Sequence, residues 1–505
     1  MRTTRILVGV LLVVGLGAPV AAMDLSEYRQ DTYGPPNHYC NPSRSLSSNG
    51  AGTLADPWNM AQCLALPVAG DVVGLMPGIS VDLPTTANSR QPVFQPVNSG
   101  TADNNRIVYV TRYAAVVLPN VETNPNRTEL RHNGGAPIIV NGVGSGNGAP
   151  MVGVNGRNYI TFDGFYVDMA RAYMREDSGV IRPENSVGIH FRNFVIKGTT
   201  LTCASNCVVY RPNAARDTVL SNFRVYDFVN NPAGSATPQP ALFSDQYGDL
   251  NVLIEHFEIT NLHDGIFFKG SANNNTMWNY GTIQYGIIRG ASSCFRFNAV
   301  EANTITTVQY NLCIDLPDSA GIMLSSETTP ARNLNIHHNT VARLNGSSIN
   351  SKGGIYARSQ GVGPNVTMRD NLIDVSPGPF GRGTDFGEIS SLPQVLNYNG
   401  YYKGGAVPQF GFNGIEYNNN FNGWKSATGR DTNSVVFTSS PFVDRAGGNF
   451  RVAAGHPART ASSTGGELGA YAGPRVPGVD TGGAPTGGSG GGAPAPPSGL
   501  RIVGF

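Results

Sequence analysis

The sequence predicts an all-β solenoid, and three observations carry that prediction. Gly (63) and Pro (34) make up nearly a fifth of the 505 residues, a composition that opposes long helices and favours turns. Only 14% of the residues are charged, against roughly 25% in an average soluble domain, while 40% are hydrophobic. A short β-rich stretch also recurs through the middle of the chain at intervals of roughly thirty residues. Lys plus Arg (35) balances Asp plus Glu (34), which excludes the bulk positive field of a nucleic-acid binder.

Residues 1–22 read as an export signal. Arg2 and Arg5 give a basic start, Ile6 to Leu16 an apolar run, and Ala18 to Ala22 a small-residue cleavage region. The run is too short for a bilayer-spanning helix, which takes roughly 20 apolar residues. A secreted or periplasmic protein with no membrane span after cleavage is expected. In that oxidising compartment the six cysteines, Cys40, Cys63, Cys203, Cys207, Cys294 and Cys313, are expected to form disulfides. Nearness along the chain favours Cys40 with Cys63 and Cys203 with Cys207.

The repeat occupies the body of the chain, expected as one domain over residues 23–472. Its copies include Tyr159-Ile-Thr-Phe-Asp-Gly-Phe, Gly188-Ile-His-Phe-Arg-Asn-Phe, Thr218-Val-Leu-Ser-Asn-Phe, Leu253-Ile-Glu-His-Phe and Asn335-Ile-His-His-Asn-Thr. Aligning them places Gly164, Asn193, Asn222, His256, Gln284, Asn311, Asn339 and Asn371 at one bend position. Asn suits such a bend, because it tolerates the left-handed backbone and can hydrogen-bond to its copy in the next coil.

A second strand class carries the functional information: Cys207 to Arg211, Ala241 to Asp245, Gly265 to Lys269, Cys294 to Asn298, Gly321 to Ser325 and Gly354 to Arg358. Side chains alternate across a strand. The second and fourth residues of each copy read as core. The third residues, Val209, Phe243, Phe267, Arg296, Met323 and Tyr356, read as an outward row, as do the fifth, Arg211, Asp245, Lys269, Asn298, Ser325 and Arg358. Arg211, Asp245 and Lys269 are expected to be neighbours on that face, at a rung spacing of about 4.8 Å.

These ladders resemble the pectate-lyase-like superfamily of single-stranded right-handed parallel β-helices, a fold of secreted polysaccharide lyases, epimerases and hydrolases. Asn49 to Trp58 and Ala69 to Gly78 are similar to that group's N-terminal opening, and Pro441 to Asp444, Asn449 to Val452, Gly455 to Ala458 and Glu467 to Ala470 to its exit. The resemblance spans roughly residues 38–472. It implies a right-handed parallel β-helix solenoid with an N-terminal capping helix around Asn59 to Leu64. It also implies an extracellular polysaccharide as partner, bound by a monomer. Asp264-Gly-Ile-Phe-Phe-Lys269 resembles the Asp-Gly-x-x-x-Lys segment of some β-helical lyases, whose lysine is the proton-abstracting base. Calcium is the cofactor the resemblance would bring, but the acidic turn that binds it is replaced here by Ser292-Ser-Cys294.

The chemistry can be stated independently of the resemblance. β-Elimination on a uronate needs a base, a cation for the developing enolate and an acid for the leaving oxygen. On this reading Lys269 is the base, Arg296 the cation, and Tyr356 or His263 the acid. Arg211 and Arg358 hold flanking acidic sugars, Asp245 lies among them, and Phe243 and Phe267 pack against sugar faces. The alternatives are a glycoside hydrolase, with Asp315 and Asp318 as a carboxylate pair, and a noncatalytic glycan-binding or adhesion protein. Glu255 and Glu258 flank His256 as a candidate cation site. Residues 473–505 are a Gly/Pro-rich linker and short tail, expected to be disordered.

Overall fold

The computed structural model describes residues 33–41, 44–76, 80–82, 94–111, 139–141, 152–168, 179–197, 209–226, 240–244, 249–262, 264–269, 280–298, 305–317, 320–326, 330–345, 352–359, 362–375 and 378–472. The signal segment, the Gly/Pro-rich tail, Cys203, Cys207, Asp245, His263 and Asp318 lie outside them.

The β-rich repeats stack as coils of a right-handed parallel β-helix. Apart from the hairpin strands at the C-terminal end, the paired strands run parallel, each hydrogen-bonded to its counterpart one coil away. One large sheet folds along a line that crosses every coil, and an eight-stranded sheet forms a separate face. Between them lies one continuous apolar core, in which Phe162, Phe191, Leu220, Ile254, Ile283, Val308, Ile336, Met368 and Leu396 form one column.

The fold line is set by a single left-handed residue per coil. Gly164 (φ 93°), Asn193 (51°), Asn222 (52°), His256 (52°), Tyr285 (57°), Tyr310 (56°), His338 (53°), Asp370 (58°) and Tyr398 (55°) occupy it. The strand pairings bring them into line: Asp163 pairs Arg192, Ser221 pairs Glu255, Glu255 pairs Gln284, and Gln309 pairs His337. The bend predicted from sequence is therefore right for Gly164, Asn193, Asn222 and His256 and slips by one residue afterwards. Gln284 precedes the bend, while Asn311, Asn339 and Asn371 follow it.

The slip has a physical cause, because the residue after the bend points inward and its chemistry changes along the solenoid. In the first coils it is Phe165, Phe194, Phe223 and Phe257, with ring centroids 4.6 Å apart for Phe194 and Phe223 and 5.5 Å for Phe223 and Phe257. From the sixth position onward it is Asn311, Asn339, Asn371 and Asn399, all fully buried. Each Asn amide nitrogen donates to a backbone carbonyl of the preceding coil: Asn311 to Ile283, Asn339 to Val308, Asn371 to Ile336 and Asn399 to Met368. Each Asn oxygen accepts the backbone N–H of the Asn before it, at 3.0–3.1 Å. Gly286 stands where the stack gives way to the ladder. A Cβ there would lie 2.0 Å from the Phe257 ring, and its N–H donates to Asn311 Oδ1 at 2.9 Å.

Both ends of the core are closed. The helix Met60–Ala65 begins in a capping box, with Asn59 accepting from Gln62 N and Gln62 reaching back to Asn59 N. The Cys40–Cys63 disulfide ties it to the strand His38–Cys40. This is the capping helix and the pairing expected from sequence. A second disulfide joins Cys294 to Cys313. At the other end the helix Phe421–Thr428 inserts Trp424, fully buried, and stops at Gly429 in the left-handed region (φ 66°). The Asn ladder terminates there on a buried carboxylate. Asn399 N donates to Ser434 Oγ, and Ser434, Trp424 Nε1 and Tyr401 Oη all donate to Asp431. The last segment then folds back over the outer sheet face, where Phe442, Phe450 and Leu468 cover Leu312, Ala342 and Leu372.

Gly286→Ala forces a methyl into the Phe257 ring and should destabilise by about 1–3 kcal/mol, the usual cost of overpacking. Asn339→Ala orphans buried partners on both neighbouring coils and should cost at least as much. Both are read as falls in the denaturant midpoint. His337, whose Nδ1 lies 2.9 Å from His338 Nδ1, is pushed down to about 4 by burial first and then by His338 and Arg369. Between the unfolded value near 6.5 and pH 4 the unfolded chain binds the extra proton. Thermal stability should therefore be full above pH 6.5 and fall as pH drops toward 4, and His337→Gln should flatten that slope.

Candidate functional site

The face of interest is the outer surface of the eight-stranded sheet. Strands Pro240–Ser244, Asp264–Lys269, Ser293–Asn298, Ala320–Ser326, Gly353–Ser359, Arg382–Phe386 and Gln409–Phe412 pair in sequence order. Their register runs Phe243, Phe267, Arg296, Met323, Tyr356, Asp385, Gly411. The register expected from Phe243 to Tyr356 is thus present and extends by one acidic residue; along it Phe267, Met323 and Tyr356 are buried outside the main core. The expected core rows are equally in place: Ile266, Phe295, Ile322 and Ile355 are buried, as are Phe268, Phe297, Leu324 and Ala357.

The first expected member departs. Val209 lies fully buried in the main core, and its stretch joins the preceding rung through the Tyr210–Ile181 bridge. Arg211 is buried beside Gly179, where a Cβ on the glycine would touch its own at 2.8 Å. Alternation fails here because Val209 and Tyr210, adjacent in sequence, both enter the core. Asp245 and His263 lie outside the described residues. Lys269 ends its strand in register with Asn298.

Two clusters populate the face. In the first, Arg296 lies over the Phe267 ring, 4.5 Å from its centroid. Its Nη1 meets Asp264 Oδ2 at 3.3 Å and its Nε donates to Ser325 Oγ at 3.0 Å. Asp264 is buried and also accepts from Ser293 Oγ. The Asp264-Gly-x-x-x-Lys269 segment therefore uses its carboxylate to seat an arginine from the next rung. Ser292, Ser293 and Cys294 do not fit calcium: the serine hydroxyl that could face it is on Asp264 and the cysteine is in a disulfide. Among the described residues no three His, Cys, Asp or Glu converge as a metal site. Glu255 accepts from Gln284, His256 stacks on Tyr285, and Glu258 faces Arg224 at 3.6 Å, so these three form no ligand set.

The second cluster centres on Tyr356. Its hydroxyl donates to Glu388 Oε1 at 2.9 Å, and Lys352 Nζ lies 5.6 Å from its ring centroid. Burial, then the hydrogen bond to Glu388 and the charges of Glu388 and Asp385, push the phenol well above the usual tyrosine range, while Arg358 opposes them. Asp385, one rung on, accepts from Arg382 Nη1 at 2.7 Å and from Gly387 N at 3.0 Å. Arg382 also reaches Glu416 at 2.6 Å. A Cβ on Gly411 would lie 2.8 Å from Asp385 Oδ1, so glycine on the next rung leaves room for that buried carboxylate. Glu388 is exposed in the turn that follows. The face thus joins a phenol held protonated, an exposed carboxylate and several cations, a set able to move a proton beside an anionic ligand.

Tyr356, Arg358, Arg296 and Phe267 were anticipated from sequence; Glu388, Asp385, Arg382 and Lys352 were not. The signal for Arg382 and Asp385 was one further period of the ladder, which aligns Arg382-Gly-Thr-Asp385-Phe with Gly353 to Ala357. Asp315, a candidate glycosidase carboxylate, instead lies between Arg289 and Arg343 on another face, at 2.8 and 2.6 Å.

No family model and no curated protein matches the sequence. Chains of known structure do match. One is XylC in complex with xylose, at TM-score 0.39 and 10% identity over 74% of this chain and 84% of that one. A second is a GH136 lacto-N-biosidase from Eubacterium ramulus, at 0.40 and 10% over 79% and 66%. A third is pectate lyase Pel9A, at 0.34 and 12% over 86% and 95%. The fold assignment rests on the strand topology itself, and the chemistry on the residues of the face.

The Asp264–Arg296 pair yields a test. Removing either partner strands a largely buried charge, so Asp264→Ala should cost about 3 kcal/mol or more. The Asp264→Ala, Arg296→Ala double variant should cost clearly less than the sum of the single variants in a thermodynamic cycle.

Proposed function

We propose that this chain is an exported glycan-active enzyme that cleaves an acidic polysaccharide by β-elimination on the outer face of the eight-stranded sheet. The reading keeps Tyr356 as proton donor and moves the base from Lys269 to Glu388. One observation carries it: the 2.9 Å hydrogen bond from Tyr356 Oη to an exposed Glu388 carboxylate, with Lys352 and Arg358 near the phenol. Two disulfides accord with an oxidising compartment, and no helix among the described residues is long and apolar enough to cross a membrane.

The proton inventory closes on this pair. Glu388 takes the proton beside the uronate carboxylate while the bond to the leaving oxygen breaks, and the cations stabilise the enolate that develops. Tyr356, kept protonated by its surroundings, gives its proton to the leaving oxygen. The proton now on Glu388 returns to the phenolate through their shared hydrogen bond, restoring both groups.

Digestion of acidic polysaccharides should raise the ultraviolet absorbance of unsaturated uronates. Tyr356→Phe and Glu388→Gln should each lower turnover by about 100-fold or more with unchanged circular dichroism. Near-normal turnover in both variants would sink the assignment. A second reading, hydrolysis, is favoured by Asp385 and Glu388 standing on the same patch as two carboxylates. It predicts new reducing ends without absorbance, abolished by Asp385→Asn.

A further inference from the structure

We propose that the face selects glycans carrying a carboxylate on every second residue, and that Arg296 is the specificity-determining residue. This rests on the reading of the face as the glycan-cleaving site. Rungs of the sheet advance by about 4.8 Å, close to one extended pyranose residue, so a glycan running along the solenoid axis places about one sugar over each rung.

Charge is distributed unevenly over those rungs. The strand Ser293–Asn298 offers Arg296, which commits Nε to Ser325 and Nη1 to Asp264 and leaves Nη2 uncommitted among the described residues. The next strand, Ala320–Ser326, contains no ionisable side chain and presents Met323, buried against Tyr356 in a small apolar cluster of its own. The strand after it, Gly353–Ser359, offers Arg358, which has no hydrogen-bond or ion-pair partner among the described residues. Beyond that, Arg382 is already matched by Asp385 and Glu416. Arg296, with one nitrogen uncommitted, and Arg358 therefore stand two rungs apart among the described side chains, roughly 10 Å along the axis, with Arg358 two residues further along its strand and an apolar rung between them.

An alternating glycan sets its acidic residues over Arg296 and Arg358 and a neutral residue over Met323. A homouronate that turns every carboxylate toward the face places an ionised group on Met323, losing water with no partner in return. Charge-assisted hydrogen bonds of this kind correspond to about tenfold or more in affinity.

The test measures calorimetric binding of two octasaccharides to the Tyr356→Phe protein. One, from hyaluronan, alternates glucuronate with N-acetylglucosamine; the other is octagalacturonate. The alternating ligand should bind at least roughly tenfold tighter. Arg296→Gln, made together with Asp264→Asn so that no buried carboxylate is stranded, should remove most of that difference. Equal or tighter binding of octagalacturonate overturns the inference, as does a ratio unchanged by the double variant. Cleavage by the unsubstituted protein is read separately. If neither polymer yields unsaturated or reducing ends, the enzymatic reading fails while the binding ratio still decides the specificity. Binding of neither ligand overturns both.

Discussion

Each described coil from Gly164 to Tyr398 crosses the fold line at one residue with a left-handed backbone, and whatever follows that residue is forced into the core. That constraint organises the molecule. In the early coils the inward position is filled by stacked phenylalanines and in the later coils by asparagines, whose polar groups are satisfied by one another and by the backbone. The two solutions cannot touch directly, because an amide against the Phe257 ring would lose its partner. Gly286 separates them. The ladder also has a direction: each oxygen accepts from the preceding coil, so the last must find a terminus. Asp431, buried and held by Ser434, Trp424 and Tyr401, supplies it, and burial pushes its carboxyl upward against those hydrogen bonds.

Fixing the bend fixes the phase of each coil, and the phase places the functional face. In a parallel, in-register stack, residues one period apart become neighbours, so a row of side chains along the axis is written in sequence at intervals of one coil. The row from Phe267 to Asp385 changes character over five rungs, from aromatic to cationic, apolar, phenolic and acidic. That gradient suits an extended ligand lying along the axis. The half-buried cations of the face stand out against the low overall charge, since arginines elsewhere among the described residues are matched, as Arg289 and Arg343 are by Asp315 and Arg445 is by Asp374.

Much of this was legible in the sequence. The solenoid and the row from Phe243 to Tyr356 follow from periodicity and alternation, the Cys40–Cys63 bridge from nearness along the chain, and the N-terminal cap from the family resemblance. The bend ladder was misplaced in its later half because matching asparagines merged two adjacent positions: the bend, where Asn193 and Asn222 sit, and the inward neighbour, where Asn311 and Asn339 sit. Val209 was misassigned because its rung breaks alternation. The C-terminal helix was overlooked although Asn420 and Gly429 punctuate it, since eight residues around Trp424 give too short a periodic pattern. Glu388 could not be found from the ladder at all: it sits in a turn, and only tertiary structure brings it to Tyr356.

The central claim is that an acidic glycan lies along this face with its reacting residue at Tyr356 and Glu388. A crystal structure of the Glu388→Gln protein soaked with a glucuronate-containing oligosaccharide tests it most directly. The account predicts a chain of sugars running along the solenoid axis over Arg296, Met323 and Tyr356, with a uronate carboxylate in hydrogen-bond contact with Arg358. An oligosaccharide bound on another face, or lying across the strands away from Tyr356, would contradict it.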